Sequence, residues 1–593
     1  MIVYGDPARR EPLERCVETL NLMLEQAESA DLRPARVRGL VERAGELEQA
    51  LFDAPDALGT ESARARGLAA ARRVTTLAAE AFDRSCSGRA AEARREIGAS
   101  HRALAPLRRR GGTLVVKVPE GFAFYGLMLQ SYREQALGWA RHHESATDRR
   151  VLVVGIRTIG TTLSAVVAAA LRGRGFGVKR ITVRPSGHPS DRRVEQSLPQ
   201  APFGIVVDEG PGLSGSSMLA VADAMRRSGV EEIALLPAHA RGPGAGASAE
   251  LRVRWRSFRP YPAQDSPPRF GDRTLAEELW TGVRTAYGEL ASATEVGGGA
   301  WRTAHDGGER AWPAVLRALE RSKLLCASRD GARILFKYCG HATAPGMERT
   351  LAAQTARRSA PLAAQGFAPR LLGEMHGFVA WEWVEGRPLG IQDASFPFLA
   401  RMGAYIARAA LPPLSAEEAH EARERTAAML RANAGETLGA DAVRAAEAEF
   451  RKGAVERGVP AAGDGHLAPH EWVRSRSGSI VKTDVGGHDV DHTWTGPQPV
   501  VWDLAGALEE WDLHGAQAEA LLRGYQEAGG APPGPAALHA YRTAYAAHRA
   551  GQTAFFAEME RDAAERARLD LARERWRDQL TRCLAGDTAG APR

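Results

Sequence analysis

Apolar residues recur at two different spacings along this chain, and the change of spacing divides it into regions. In residues 1–110 they recur at i, i+3 and i+4, for example in LERCVETLNLMLEQA and ARVRGLVERAGELEQALF. This spacing predicts amphipathic helices. Residues 111–245 instead alternate short apolar runs with helical patterns, which predicts a doubly wound parallel sheet covered by helices.

The second half of the chain begins with a break in this pattern. Residues 246–310 are rich in Gly and Pro around one short helical stretch, which predicts a linker. Residues 311–555 return to strands and helices and predict a two-lobed α+β domain. Residues 556–593 predict a charged helix and a disordered tail. The expected fold class is therefore an α/β multidomain protein with a helical N-terminal region.

Composition narrows the classes of function. A chain of 593 residues is too long for one core, so several domains are expected. The chain has 78 basic and 72 acidic residues, and this near balance indicates a surface of mixed charge. Such a surface does not favour nucleic acid as a partner. Five cysteines without CxxC spacing favour a reducing cytoplasm. The chain has neither a signal-peptide pattern nor a long apolar run, so no membrane partner is expected.

The stretch IVVDEGPGLSGSSM combines an apolar strand, two acids and a small-residue loop that leads into a helix. Asp208 and Glu209 follow the strand directly, where carboxylates can accept hydrogen bonds from sugar hydroxyls or hold Mg²⁺. Backbone N–H groups at a helix N-terminus favour phosphate. The candidate phosphate-binding residues are Ser214, Gly215, Ser216 and Ser217. An ordinary Rossmann-like βα turn with a polar N-cap is the alternative.

This stretch resembles the 5-phosphoribosyl-1-pyrophosphate (PRPP) motif of type I phosphoribosyltransferases. The resemblance implies that Asp208 and Glu209 contact the ribose, and that the loop Ser214–Ser217 binds the 5-phosphate. The chain departs from the family in two ways. Glu209 replaces a second Asp, and the loop is one residue longer.

A second strand–loop–helix segment, VLVVGIRTIGTTLSAVVAAAL, precedes the first and fits a pyrophosphate loop. Gly155 and Gly160 bound the loop, Thr161 is a candidate helix cap, and Arg157 can meet a diphosphate. Between the two motifs, KRITVRPSGHPSDRR predicts either a mobile loop over the reacting centre or a solvated basic loop.

The C-terminal half carries a second series of charged residues. Lys337 lies in the apolar strand ARILFKYCG, and Glu348 begins a helical stretch. Asp464 and His470 lie in GDGHLAPH, and Asp484 ends the strand IVKTD. In phosphoryl transfer a lysine neutralises the nucleotide phosphates, a glutamate positions that lysine, and acids bind Mg²⁺ or orient the attacking hydroxyl.

This order resembles the aminoglycoside-phosphotransferase and choline-kinase branch of the protein-kinase-like fold. The resemblance implies ATP held by Lys337 and Glu348, Asp464 orienting the hydroxyl, and Mg²⁺ bound by Asp484 and by the residue at position 470. It also implies that Asp503, in VVWDLAG, is a structural cap.

The chain departs from this family at several points. The Asp464 loop is one residue longer, and His470 stands where a metal-binding Asn is expected. Since Mg²⁺ prefers oxygen, this exchange is unfavourable for Mg²⁺. Only the stretch 328–331 offers a glycine-bearing phosphate loop. A nucleotide-binding pseudokinase is therefore the alternative.

A dense cluster follows the last strand of this series, in DVGGHDVDH. Its His and carboxylate groups either bind a metal ion or form a solvated turn. The cluster is composed of Asp484, His488, Asp489, Asp491 and His492.

Together these motifs predict a cytoplasmic enzyme that transfers phosphoribosyl from PRPP to, or from, a nucleobase-like metabolite with Mg²⁺. A kinase-like domain would bind ATP and phosphorylate the same or a related metabolite. As a whole the chain resembles the phosphoribosyltransferase-like proteins of bacterial tellurite-resistance and stress operons, and a homo-oligomer is expected. Two alternatives stay open: a PRPP- or nucleotide-sensing regulator, and a protein that acts on nucleic acid.

Overall fold

The computed structural model forms two compact units. The N-terminal unit is built mainly from Asp6–Thr281, and the C-terminal unit from Gly282–Cys339 and Ala352–Arg593. The structure describes residues 8–29, 32, 34–108, 111–188, 192–212, 214–244, 246–306, 308–309, 312–341, 350–454, 458–485 and 493–585. Glu348, the His488–His492 cluster and the end of the predicted tail lie outside these residues.

The N-terminal unit begins with helices and continues as alternating strands and helices. Its elements are β1 (Ala8–Pro12), α1 (Leu13–Ser29), α2 (Pro34–Asp53), α3 (Glu61–Cys86), α4 (Ala90–Ala103), β2 (Thr113–Lys117), α5 (Glu120–Ala123), α6 (Leu129–His142), β3 (Arg150–Ile156), α7 (Gly160–Gly173), β4 (Gly177–Val183), β5 (Phe203–Val207), α8 (Ser216–Arg227), β6 (Glu232–Leu236), α9 (Ala249–Arg256), β7 (Arg259–Pro260), β8 (Arg269–Phe270), β9 (Arg273–Thr274) and α10 (Leu275–Trp280).

The predicted parallel sheet is present, with strand order β4-β3-β5-β6-β7. On β3, Leu152 and Val154 share a core with α8 and α9. Val151 and Val153 alternate to the opposite face and are equally buried. Burial of both faces explains the almost continuous apolar sequence of β3. The sheet is therefore doubly wound, and its order reverses between β3 and β5, the position where such folds bind ligands.

The helical N-terminal region packs onto this sheet within the same unit. Helices α2 and α3 both contact α7. Helices α2 and α7 approach each other closely. A Cβ on Gly45 of α2 would come within 1.9 Å of the hydroxyl of Thr162 on α7. The sequence pattern missed one element here: β1 pairs antiparallel with β2 and links the start of the chain to the first strand after the helices.

After one short helix, the C-terminal unit continues with a sheet and ends in helices. Its elements are α11 (Arg284–Tyr287), β10 (Leu290–Glu295), β11 (Lys323–Ser328), β12 (Arg333–Tyr338), α12 (Leu351–Ala364), β13 (Leu371–Met375), β14 (Phe378–Glu382), β15 (Gly386–Pro388), α13 (Phe396–Ala409), β16 (Leu411–Pro413), α14 (Ala416–Leu438), α15 (Ala440–Gly453), β17 (Pro460–Ala461), β18 (Trp472–Ser475), β19 (Ile480–Lys482), α16 (Val501–Glu510), α17 (Gly515–Glu527), α18 (Pro535–Met559) and α19 (Ala563–Leu584).

An antiparallel sheet of order β10-β11-β12-β14-β13 forms the first part of this unit. Strand β10 comes from the segment 246–310 that the sequence pattern assigned to a linker. The connection from β10 to β11 begins with Val296 followed by Gly297, Gly298 and Gly299, so this sheet does contain a glycine-rich turn after its first strand.

The helices of the C-terminal unit pack around two apolar cores that share α16. Leu504 and Leu508 belong to one core with α13 and α17, and Trp502 and Ala505 belong to the other with α14, α15, α18 and α19. A helix held from two sides provides a rigid base for the residues at its N-terminus. No helix among the described residues is long and apolar enough to span a membrane.

Candidate functional site

In the N-terminal unit, the acidic pair lies at the predicted place, just after β5. The amide of Asp208 donates to the carbonyl of Leu236 at 3.3 Å, which extends the parallel ladder to β6. The Tyr132 hydroxyl donates to the Asp208 carbonyl at 3.0 Å. Glu209 accepts from the Gly121 amide at 2.9 Å, so this carboxylate holds the first turn of α5. The backbone of Asp208 is thus fixed, and Glu209 has a structural contact that its sequence did not reveal.

The small-residue loop Ser214–Ser217 forms the N-terminus of α8 as predicted. Gly215 is the N-cap, with φ of 71°, a conformation that favours glycine, and it has no side chain to cap the helix. The Ser214 and Ser216 hydroxyls are 2.8 Å apart, and Ser214 also accepts from the Ser216 amide at 3.3 Å. This arrangement presents hydroxyls beside the positive end of a helix dipole, which suits an anion.

The two predicted loop glycines have a packing role. A Cβ on Gly155 would come within 2.0 Å of the Gly160 carbonyl, and one on Gly160 within 2.7 Å of the Val207 carbonyl. Glycine at both positions therefore lets α7 start directly above β3 and β5. Thr161 is completely buried, and its hydroxyl has no hydrogen-bond partner in the part of the chain that the structure describes.

Arg157, predicted to meet a diphosphate, lies against a carboxylate from α2. Its Nε is 3.0 Å from Asp53 Oδ1. Arg184, in the basic loop, also reaches Asp53 Oδ1 through Nε at 3.0 Å. Burial, together with the positive charge of Arg184, lowers the pKa of Arg157, and Asp53 opposes this. Two arginines thus converge on one partly exposed carboxylate, which the sequence did not indicate because α2 lies far from them in the chain.

In the C-terminal unit, Asp503 holds the loop Gly463–Glu471, here called the 464 loop. Its carboxylate accepts from the amides of Gly463 at 3.1 Å, Asp464 at 3.2 Å and Gly465 at 2.8 Å. Burial and the charge of Asp464 raise the pKa of Asp503 to about 7, although the three amides lower it. Asp503 therefore has a structural role, but it does not cap its own helix as predicted: α16 begins at Val501, its N-cap is Val500, and no side chain caps it.

Asp464 is buried at the centre of a polar network. Its carboxylate accepts from the Tyr405 hydroxyl, from the His466 amide at 3.3 Å and from the Lys482 ammonium at 3.3 Å. Lys482 lies on β19, two residues before Asp484. The fixed orientation of the Asp464 carboxylate is the property that a residue orienting a hydroxyl needs.

Two lysines from the sheet meet Asp484. Lys323 on β11 and Lys337 on β12 are direct cross-strand partners. Lys337 makes an ion pair with Asp484, and Lys323 Nζ lies 3.8 Å from Asp484 Oδ2 and 3.0 Å from Glu320 Oε2. Like charges directly opposite each other destabilise a strand pair, so carboxylates between them are required. The structure therefore brings together the predicted Lys337 and Asp484, and adds Lys323, whose position in a strand was the only sequence signal.

His470 makes an aromatic contact. Its ring stacks on Trp301, with centroids 5.6 Å apart and planes 12° apart. Burial lowers the pKa of His470 to about 4, so the ring is neutral near pH 7. Trp301 lies in the long connection between β10 and β11. The structure gives His470 and Asp484, the two predicted metal ligands, different partners.

His466 belongs to a second buried network. Its imidazole contacts Glu471 Oε1 through Nδ1 at 2.5 Å and Glu510 Oε1 through Nε2 at 3.4 Å. Burial disfavours the charged ring, but these carboxylates outweigh it and raise the pKa of His466 to about 9. Glu510 also pairs with Arg549 at 3.1 Å. His466 is therefore an imidazolium near neutral pH, two residues after Asp464 in the chain.

The residues present do not fit the predicted Mg²⁺ site. A Mg²⁺ ion needs several oxygen ligands, whereas His470 offers nitrogen and Asp484 is paired with lysines. Among the described residues, no group of three His, Cys, Asp or Glu side chains is arranged to hold a metal ion. We therefore derive no chemical step through a metal ion at these residues.

Comparison with known proteins gives matches in structure alone. No protein-family model matches the chain, and no curated protein matches it. The structure is similar to choline kinase LicA from Streptococcus pneumoniae (12% identity, 51% of this chain and 99% of that chain, TM-score 0.32). It is also similar to macrolide 2'-phosphotransferase MphH from Brachybacterium faecium (15% identity, 50% and 97%, TM-score 0.31). A third similar structure is a choline/ethanolamine kinase family protein from Mesorhizobium loti (16% identity, 45% and 90%, TM-score 0.29).

Proposed function

We propose that the C-terminal unit transfers a phosphoryl group from ATP to a hydroxyl of a small molecule. The observation that carries the proposal is the ion pair of Lys337 with Asp484, set beside a buried and oriented Asp464. A strand lysine, a strand-end aspartate and a loop aspartate are the charged groups that phosphoryl transfer uses.

In this reaction the substrate hydroxyl oxygen attacks the γ-phosphorus, and the bond to the bridging oxygen of ADP breaks. Asp464 orients the hydroxyl and accepts its proton. Lys337 and Lys323 neutralise the phosphate oxygens, on which negative charge accumulates. The product is a phosphate monoester and ADP.

The test separates binding from chemistry with two variants. Calorimetry with ADP measures binding, and ADP release from ATP in the presence of pooled hydroxyl metabolites measures transfer. We expect Lys337→Met to weaken ADP binding and Asp464→Asn to keep binding but lose transfer by about a hundredfold or more. The exposed Lys452→Met, on α15, is the matched control. Unchanged transfer in Asp464→Asn would refute the assignment.

Binding of ADP by the wild type without transfer to any acceptor would favour the pseudokinase alternative. The unit would then sense nucleotide rather than use it, and Lys337→Met would still lose binding.

A second candidate function, PRPP-dependent phosphoribosyl transfer, is favoured by one specific observation in the N-terminal unit. Asp208 and Glu209 follow β5 at the point where the sheet order reverses, and the Ser214–Ser217 loop begins α8 beside them. Ligands bind at this point in open parallel sheets.

Calorimetry of PRPP with Mg²⁺ tests this second proposal. We expect the wild type to bind, and the double variant Asp208→Asn/Glu209→Gln to lose at least about tenfold in affinity. Glu209→Gln alone distinguishes the structural contact with Gly121 from a ligand contact. Absence of binding by the wild type would leave the motif as an ordinary βα turn.

A further inference from the structure

Lys482 has an unusual position for a lysine at a candidate active site. Its side chain has no exposed surface, and Nζ lies 3.2 Å from Asp464 Oδ2 and 2.9 Å from Glu471 Oε2. The same Nζ donates to the backbone carbonyl of Asp484. Three oxygen atoms from three separate points of the chain therefore surround one ammonium group.

The chemistry of this set matches the ammonium group well. An ammonium has three N–H donors and no acceptor, and each of the three oxygens can accept one of them. Two of the oxygens belong to buried carboxylates, Asp464 at 1% and Glu471 at 7% side-chain exposure. Without a cation between them, these carboxylates would repel each other in a low-dielectric environment.

The electrostatics of the surroundings keep this lysine charged. The carboxylates of Asp464 and Glu471 lie 3.2 and 2.9 Å from the Lys482 ammonium and favour its charged form. The same oxygen types, carboxylate and carbonyl, are those that hard divalent cations prefer. The set is thus a cation site whose occupant is supplied by the chain.

We propose that the Lys482 ammonium is the resident cation of this centre and fills the oxygen site formed by Asp464, Glu471 and Asp484. The role of Lys482 in catalysis rests on the proposed phosphotransferase function. Lys482 is a positioning residue: it holds Asp464 towards the substrate hydroxyl and ties the 464 loop to the strand end that carries Asp484.

The ammonium also excludes a divalent ion from these three oxygens. Removing it should therefore create a metal site, a gain that a merely structural lysine would not produce. Lys482→Ala leaves two carboxylates and a carbonyl around a vacated space, which is a suitable set for Mn²⁺ or Mg²⁺.

The experiment is Mn²⁺ titration of the nucleotide-free full chain, followed by electron paramagnetic resonance. We expect Lys482→Ala to gain one Mn²⁺ site. Its affinity for Mn²⁺ should be at least about tenfold higher than that of any Mn²⁺ binding by the wild type. The double variant Lys482→Ala/Glu471→Gln should lose this gain. Lys482→Met fills the same space with an apolar chain and is the matched control, which should not gain a site.

Two results would overturn the proposal. One is that Lys482→Ala gains no Mn²⁺ site while it remains folded. The other is that the wild type already binds Mn²⁺ at a site that Asp464→Asn removes. The second comparison needs no Lys482 variant, so it decides the matter even when Lys482→Ala does not fold. Failure of the proposed function is separate, because it would appear as absence of phosphoryl transfer by the wild type, whether or not ADP binds, and not in the Mn²⁺ titration.

Discussion

The two units neutralise the cationic groups of their candidate sites in different ways. In the N-terminal unit, Arg157 and Arg184 share Asp53, which comes from a neighbouring helix and keeps 23% of its side chain exposed. In the C-terminal unit, Lys482 and its partner Asp464 are at most 1% exposed. An exposed carboxylate can yield its arginines to an incoming anion, whereas the buried carboxylate cannot leave its lysine without a large desolvation cost. We call an ion pair of the first kind exchangeable and one of the second kind fixed.

The largest expected effect concerns a fixed pair in the N-terminal unit, Arg180 with Glu48. The two side chains are 2% and 0% exposed and lie 2.8 Å apart. Arg180→Met leaves Glu48 buried and unpaired, so we expect the free energy of unfolding to fall by about 3–5 kcal/mol. Urea denaturation measures the change.

The control for this prediction is Arg150→Met. Arg150 is 69% exposed and pairs with Asp148, so its loss should leave the free energy of unfolding close to that of the wild type. Equal costs for the two variants would contradict the division into fixed and exchangeable pairs.

The next effect concerns the pH dependence of the C-terminal unit. The pKa of His466 is raised to about 9 in the folded state, above its ordinary value. The stabilisation of the folded state by this imidazolium is therefore complete below about pH 6.5 and is lost as the pH rises through 9, a total of about 3–4 kcal/mol. His466→Gln should flatten the stability profile over this window, measured by denaturation at each pH.

If the stability of His466→Gln and that of the wild type change in parallel with pH, Glu471 and Glu510 do not hold an imidazolium. The exposed His420→Gln, on α14, serves as the control and should leave the profile of the wild type unchanged.

The exchangeable pairing of Asp53 with its two arginines is tested by the affinity for pyrophosphate. Asp53→Asn removes the carboxylate that competes for Arg157 and Arg184, so we expect pyrophosphate to bind about three- to tenfold more tightly. Calorimetry with pyrophosphate measures this, and Asp56→Asn, whose carboxylate is 82% exposed and pairs with Arg64, is the control. Weaker binding in Asp53→Asn would mean that Asp53 organises the arginines instead of competing for them.

The smallest expected effect concerns Thr161. Because its buried hydroxyl has no hydrogen-bond partner among the described residues, Thr161→Val should raise the free energy of unfolding by at most about 1 kcal/mol. PRPP affinity should not change. Thr75→Val is the control, since the Thr75 hydroxyl donates to the Ala44 carbonyl at 3.0 Å and its loss should destabilise the protein by about 1 kcal/mol. A loss of PRPP affinity in Thr161→Val would instead assign Thr161 to the phosphate site.

Elements whose pattern is local could be predicted from the sequence. Helices α1 to α3 and the strands β3 and β5 lie where the spacing of apolar residues placed them, because burial of one or both faces fixes that spacing. The start of α16 near Asp503 was also predicted, but Asp503 holds the 464 loop instead of capping this helix.

Contacts between distant segments could not be predicted in this way. Asp53 and Arg184 are 131 residues apart, and nothing in either local sequence indicates the other. Lys482 carried a weak signal, a charged residue in a three-residue strand beside Asp484. Its partners in the 464 loop depend on how β18 and β19 pair, which spacing alone does not determine.

The facing lysines of β11 and β12 have a consequence for how the C-terminal unit assembles. Lys323 and Lys337 repel each other across the ladder. Glu320 relieves part of this repulsion at Lys323, but Asp484, the partner of Lys337, arrives from a segment about 150 residues later in the chain. The early sheet therefore reaches its full stability only when the later segment docks. During synthesis, an N-terminal fragment that stops before Asp484 should remain a loose sheet, and folding of this unit should be a single cooperative event late in translation.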